Sequence, residues 1–218
     1  MNDLAAYYRE RAAEYDAVYN KPERQEDLAR LRALLPPLVA GRSVLELAAG
    51  TGYWTTALST TAESVVATDL NDETLAVARI RSYGPGEVRF EVADAYDLGA
   101  IPGRFDAIFA GFFWSHVPRS DVRRFALGLL DRVEPGGVVI LADNRYVEGS
   151  NHPITRTTAD GDTYQTRQLA DGRTFEVLKN FPTREQFTRD VAPAEVSWTD
   201  LTYFWVATIS STRVVPGR

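Results

Sequence analysis

The chain has 218 residues, 44% hydrophobic and 25% charged, with a formal charge of -6 and no cysteine. That length holds one ordinary domain of globular composition. The negative charge argues against wrapping a nucleic acid, and the missing cysteine excludes disulfides, thiolate metal sites and cysteine nucleophiles.

The first 40 residues read as a helical segment in which Tyr8, Tyr15 and Tyr19 share one face, either as core or as a lid over a ligand. Residues 44–47 form an apolar run carrying Glu46, followed by Ala48-Ala49-Gly50-Thr51-Gly52. A strand entering such a turn is a nucleotide-type cofactor site, because glycine permits positive φ and close approach of bare backbone. Thr55 stands three positions after Gly52, so the dinucleotide pattern G-x-G-x-x-G is incomplete. Residues 64–69 predict a second strand ending in Asp69, with Asn71 placed to cap a following helix. After the break at Gly84-Pro85-Gly86, residues 88–94 predict a third strand ending at Asp94, and 105–113 a fourth, apolar enough to be buried on both faces. A helix over about 119–133, closed by Pro135-Gly136-Gly137, precedes a fifth strand at 138–144. Residues 163–179 read as a hairpin with a type I′ turn at Asp171-Gly172, and Thr183 to Gln186 as a capping box. Segments 195–201 and 203–210 predict two closing strands.

The pattern Glu46-Leu47-Ala48-Ala49-Gly50-Thr51-Gly52 resembles the first motif of the class I S-adenosylmethionine-dependent methyltransferases, acid, apolar, Gly, x, Gly, x, Gly, with Ala48 in place of the first glycine. The order of acids and turns over residues 41–144 is similar to that family's core. The resemblance implies an α/β, Rossmann-like, seven-stranded, mostly parallel sheet with helices on both faces, the last strand antiparallel, and a β-hairpin inserted after strand five. It divides a single domain into an N-terminal lid (1–40), a cofactor-binding core (41–144), the inserted hairpin (145–182) and a final helix and strand pair (183–212). It further implies S-adenosyl-L-methionine as cofactor and a small-molecule methyl acceptor.

On that resemblance, Glu46 attracts the cofactor's ammonium, Ala48, Gly50 and Gly52 present backbone, and Asp69 accepts from the ribose hydroxyls. Leu70 packs on the adenine, Asp94 accepts from its amino group and Ala95 offers backbone. Tyr15 and Tyr19 belong to the lid. Phe112 joins the cofactor site and, with Phe113 and Trp114, faces the acceptor. His116 follows the fourth strand, where an imidazole titrating near neutrality serves either as a base or as a loop-bracing side chain. Arg145, Tyr146, Tyr164 and Arg167 line the substrate mouth or a solvated loop.

Asp143-Asn144 resembles half of the metal site of catechol-type O-methyltransferases, but no acid follows the fourth strand, so no metal is expected. The arginines read as scattered, and only Lys21 and Lys179 are lysines. No run reaches the roughly 18 apolar residues of a membrane span, and no basic region precedes an apolar core at Met1, so a cytoplasmic protein without membrane association is expected. A homodimer is left open. Three other readings stay open: intramolecular sulfonium chemistry (a cyclase or lyase), a noncatalytic binding subunit, and a nicotinamide-dependent reductase, which the missing third glycine disfavours.

Overall fold

A computed structural model describes residues 10, 12–169 and 171–210; the side chains of 12–15 are outside that description. A 3-10 helix at Ala12–Asn20 and a short one at Pro22–Arg24 lead into helix α1 (Gln25–Val39). Then come β1 (Ser43–Leu47), α2 (Thr55–Leu58), β2 (Ser64–Asp69), α3 (Asp72–Arg79), β3 (Glu87–Val92) and β4 (Phe105–Gly111). The chain continues through a 3-10 turn at Trp114–His116, α4 (Val122–Leu130) and β5 (Val133–Asn144). Strands β6 (Arg156–Thr157), β7 (Thr163–Gln168) and β8 (Thr174–Leu178) follow, then α5 (Arg184–Asp190), β9 (Glu195–Asp200) and β10 (Phe204–Ser210).

Seven strands form one sheet in the order β3-β2-β1-β4-β5-β10-β9. Strands β1 to β5 pair in parallel, while β10 runs antiparallel to β5 and β9. The order runs outward in opposite directions from β1 and β4, so the crevice above their carboxyl ends is the topological switch point where open α/β sheets bind ligands.

Both faces of the sheet are covered, and side-chain alternation sorts the core into two layers. Leu45, Leu47, Ile108, Val139, Leu141 and Trp205 pack on one side with Phe125 and Leu129 of α4 and Phe187 of α5. Val44, Phe109, Ile140 and Val206 pack on the other with Leu28, Leu31 and Leu35 of α1. These leucines are fully buried, each worth about 1.5–3 kcal/mol.

Several expectations need correction. Pro135-Gly136-Gly137 does not close the preceding helix but lies inside β5, where register jumps between the Phe105–Val133 and Ala107–Val138 pairs, an irregularity that absorbs a residue unable to donate to the ladder. The hairpin turn is longer than two residues: Leu169 and Arg173 close it, Gly172 N–H donates to Leu169 O, and Gly172 is left-handed (φ 89°). That is a three-residue loop with glycine at its last position, not type I′. The short β6 adds a third strand to this small sheet. Asn71 occupies the N-cap of α3, but its side chain makes no capping bond; Asp69 Oδ1 accepts from the Asn71 amide instead (2.8 Å). The capping box of α5 forms as predicted, with Gln186 N–H to Thr183 Oγ1 at 3.2 Å and Thr183 N–H to Gln186 Oε1 at 2.9 Å.

Candidate active site

β1 ends beneath a tight turn whose backbone conformation explains its composition. Gly50 (φ 56°) and Gly52 (φ 76°) are both left-handed, and so is Ala48 (φ 51°), at the position where the family motif has glycine. Alanine here accepts a conformation that disfavours a Cβ by about 1–2 kcal/mol. A Cβ on Gly52 would come within 2.4 Å of Tyr83 Oη and 3.0 Å of Ala78 Cβ, so the turn also lies hard against α3 and its exit.

Two carboxylates converge on this turn. Glu46 is 1% exposed and accepts from Thr55 Oγ1 at 2.6 Å. Burial, partly offset by that bond, pushes its carboxyl up to about 8, so with the cleft open it is largely protonated at neutral pH. Asp69, at the end of β2, accepts the Gly50 amide at 2.9 Å on one oxygen and the Asn71 amide on the other. Burial raises its pKa despite both bonds. Leu70 beside it is 51% exposed, an apolar surface without cover. At the next strand end, Asp94 Oδ1 accepts the Tyr96 amide at 2.9 Å, with Ala95 half-buried between them.

An aromatic wall closes the cleft from the N-terminal side. The ring of Tyr19 stacks on Tyr53 with centroids 3.7 Å apart, and Trp54 Nε1 donates to Tyr19 Oη at 3.1 Å. Phe112, left-handed at φ 62°, stacks on Trp54 and meets Tyr19 and Phe204 edge-on. A non-glycine residue held in this region directly after a buried strand carries strain of about 1–3 kcal/mol. Thr51 Oγ1 donates to Asp16 Oδ1 at 2.6 Å, and Arg81 bridges Asp16 and Thr51, tying the 3-10 segment to the turn. Tyr7, Tyr8 and the side chain of Tyr15 lie outside the described residues.

Beyond β4 and β5 the site is polar and buried. His116 is 6% exposed, and its Nδ1 lies 2.7 Å from Leu178 O. A carbonyl only accepts, so Nδ1 carries the proton and Nε2 the lone pair. Burial and the nearby Lys179 ammonium push His116 down to about 3, so it does not titrate near neutrality as expected. Lys179, buried at the end of β8, donates to Ser115 Oγ at 2.6 Å and lies 3.4 Å from Asp143 Oδ1. Asp143 also accepts the Ser115 amide at 2.8 Å, and its pKa lies below the usual range because Lys179 and these donors outweigh burial.

Trp114 does not face the cleft: at 2% exposed it packs against Phe125 and Phe187 in the core, where its size is used for burial. Arg145 turns away, bonding Leu201 O and approaching Asp200, and Tyr164 lies under Arg156. Sequence reasoning missed Thr55, Asp16 and the polar set of Lys21, Arg24, Asn144 and Ser150. The signal available for the last group was the rarity of lysine: Lys21 is one of only two in the chain. Among the described residues there is no cluster of His, Cys, Asp and Glu that could hold a metal, and no helix long and apolar enough to cross a membrane.

A parallel sheet with a glycine-bearing turn after β1 and acids at consecutive strand ends defines a Rossmann-like nucleotide-cofactor protein. A methyltransferase-domain family profile matches residues 44–137. The chain is 30% identical to DhpI in a solved complex with SAM and HEP, with a TM-score of 0.80 over 96% of this chain and 97% of that one. A DhpI–SAH complex gives 32% identity and a TM-score of 0.75 over 95% of both chains. The demethylmenaquinone methyltransferase of Clavibacter sepedonicus is 37% identical over 118 residues, 53% of this chain and 46% of that protein. A ubiquinone biosynthesis O-methyltransferase of Thiobacillus denitrificans is 32% identical over 106 residues, 48% of this chain and 45% of that protein. The matches thus span about half the length of these curated relatives. The chain belongs to the class I S-adenosylmethionine-dependent methyltransferases.

Proposed function

We propose that the protein transfers a methyl group from S-adenosylmethionine to an oxygen or nitrogen of a small molecule. The observation that carries this reading is Glu46: a carboxyl buried under a left-handed turn, held by one threonine hydroxyl and raised to about 8, is a costly arrangement unless a cation comes to rest on it. The cofactor's ammonium is such a cation. Asp69 keeps lone pairs for the ribose hydroxyls beyond its two amide bonds, and Leu70 supplies an apolar shelf for the adenine, with Asp94 and Ala95 at its edge. The donor set therefore fits the cofactor.

When bound, S-adenosylmethionine supplies a methyl on sulfonium that is displaced in line, a step needing mainly position and the absence of water. Tyr19, Trp54 and Phe112 provide the water-excluding aromatic wall, with ring faces suited to a sulfonium. His116, its ring held through Nδ1 by the Leu178 carbonyl, is the candidate group for the acceptor's proton. Its imidazole, pushed down to about 3, is neutral near pH 7 and correspondingly a weak base.

Calorimetric titration with S-adenosylhomocysteine, with NAD as control, tests the reading: binding of the first at micromolar concentration and none of the second is expected. The reverse preference overturns it. The His116→Gln variant separates transfer from noncatalytic binding, because it is expected to keep cofactor affinity and lose about 100-fold or more in turnover of an oxygen acceptor.

A further inference from the structure

The 3-10 turn that carries His116 is suspended between the two sheets. On the main-sheet side the Ser115 amide donates to Asp143 Oδ2 at 2.8 Å. On the other side, three consecutive residues at the exit of β8 each reach the turn. Leu178 O lies 2.7 Å from His116 Nδ1, Lys179 Nζ donates to Ser115 Oγ at 2.6 Å, and the Asn180 amide donates to Ser115 O at 2.8 Å.

Asn180 is the knot of this seam. It is buried, and its side chain uses both kinds of hydrogen-bonding atom it has. Oδ1 accepts the Thr163 amide at 2.9 Å, while Nδ2 donates to Val117 O at 3.2 Å and to Asp162 Oδ1 at 2.8 Å, so these partners allow one orientation of the amide. Asp162 Oδ1 in turn accepts the Arg119 amide at 2.9 Å, and Gly161 O accepts from Arg119 Nε at 2.8 Å. Residues 115, 117 and 119 are thus each held by the insertion, with His116 between them. The inserted sheet does not need the Nδ2 bonds for its own pairing: β7 and β8 are joined by a ladder running from Tyr164–Leu178 to Gln168–Thr174. What the Asn180 amide group adds is the position of the turn.

We infer that Asn180 is a positioning residue for methyl transfer: by tying Val117 and Asp162 to the exit of β8 it sets the turn where the Leu178 carbonyl holds the His116 ring in one tautomer and one orientation. The inference deepens the methyltransferase reading above and rests on it for the part His116 plays. Asn180 acts only through His116. Because a misplacement of about 1 Å costs on the order of 100-fold in rate, a side chain that fixes the turn is as consequential as one that touches the acceptor.

The chain has two histidines and the other, His152, is exposed, so long-range proton–nitrogen spectra of protein with isotope-labelled histidine read His116 directly once His152→Gln assigns the peaks. Wild type is expected to show a single Nδ1–H tautomer of His116 at pH 7. Asn180→Ala and Asn180→Asp are expected to lose it, with the Nε2–H form appearing. Asn180→Asp keeps the side chain's size but sets a carboxylate against Val117 O and Asp162; adding Asp162→Asn returns an amide opposite that carboxylate and is expected to restore the Nδ1–H form. Gln165→Leu is the control for a merely structural role: Gln165 is fully buried in the same small sheet and donates to His152 O at 2.6 Å, so this variant is expected to lower Tm and keep the tautomer. A tautomer retained in both Asn180 variants, lost equally in Gln165→Leu, or not restored by Asp162→Asn overturns the inference and leaves the methyltransferase reading intact. Calorimetry on the same samples is expected to give S-adenosylhomocysteine affinities within twofold of one another. A wild type that fails to bind S-adenosylhomocysteine overturns that reading, and the catalytic role of Asn180 with it, whatever the spectra show.

Discussion

Glu46 shows how much of this site is written in a single protonation state. Its carboxyl is raised to about 8 by burial, whereas in an unfolded chain it titrates near 4.5. The folded, cofactor-free protein therefore binds more protons than the unfolded chain between these values, and its stability falls as pH rises through that window. A cationic ligand reverses the balance, because an ammonium beside the carboxyl favours ionisation. Calorimetry at pH 7 in buffers of different ionisation enthalpy is expected to show release of on the order of one proton on binding S-adenosylhomocysteine, absent in Glu46→Gln. His116 gives the complementary expectation. With its imidazole pushed down to about 3, the pH profile of kcat/KM is expected to lack an acid limb near 6.5. Ala48 is a residue-scale strain of another kind. Ala48→Gly relieves a left-handed alanine but frees the unfolded chain, and the balance is a gain of about 0.5–1 kcal/mol in denaturant unfolding. The opposite change at Gly52 adds a Cβ 2.4 Å from Tyr83 Oη and is expected to cost both stability and cofactor affinity.

At the scale of elements, the inserted three-stranded sheet is fastened to the main one through a few side chains. Lys179, directly after β8, reaches Asp143 at the end of β5, and His116 after β4 is braced by the carbonyl of Leu178. Asn180 continues the seam, its amide donating to Ser115 O at 2.8 Å and its side chain to Asp162 at 2.8 Å. The Lys179–Asp143 pair is buried on both sides, so Lys179→Met leaves a carboxylate in a dry environment. A loss of about 3–5 kcal/mol in thermal or denaturant unfolding is expected. Adding Asp143→Asn is expected to return much of it, because the remaining amide keeps a carbonyl for the Ser115 N–H and no charge stays stranded. The elements themselves were largely readable, since strand runs, helix breaks and the capping box at Thr183 are local patterns. What misled were places where tertiary context overrides a local signal. Pro135-Gly136-Gly137 reads as a terminator but serves inside a strand at an irregular register. Trp114 reads as a site wall because of its neighbours in sequence, yet its ring is drawn into the core between α4 and α5.

Over the whole molecule, the turn after β1 and the acids at the strand ends were legible and the polar set around Lys179 was not, for a physical reason. The turn at residues 48–52 and the acids Glu46, Asp69 and Asp94 sit at successive strand ends, so their spacing in sequence reports their arrangement in space. Lys21, Arg24, Arg167 and Lys179 come from three segments far apart in the chain, which come together only after the 3-10 segment and the small three-stranded sheet have folded onto the main sheet. No local periodicity records that meeting, which is why the arginines looked scattered. The same convergence makes ligand binding a reporter of the whole fold. A ligand at 100 times its Kd stabilises the native state by about 2.7 kcal/mol, and for a domain of this size each kcal/mol moves Tm by about 2–4 °C. S-adenosylhomocysteine at that excess is accordingly expected to raise Tm by about 5–10 °C in differential scanning calorimetry, with NAD giving none. In Asp16→Asn the tie from the 3-10 segment to Thr51 and Arg81 is weakened, so the ligand-induced rise is expected to shrink while unliganded Tm changes little. An equal shift in both proteins would mean that the segment over the turn does not take part in holding the cofactor.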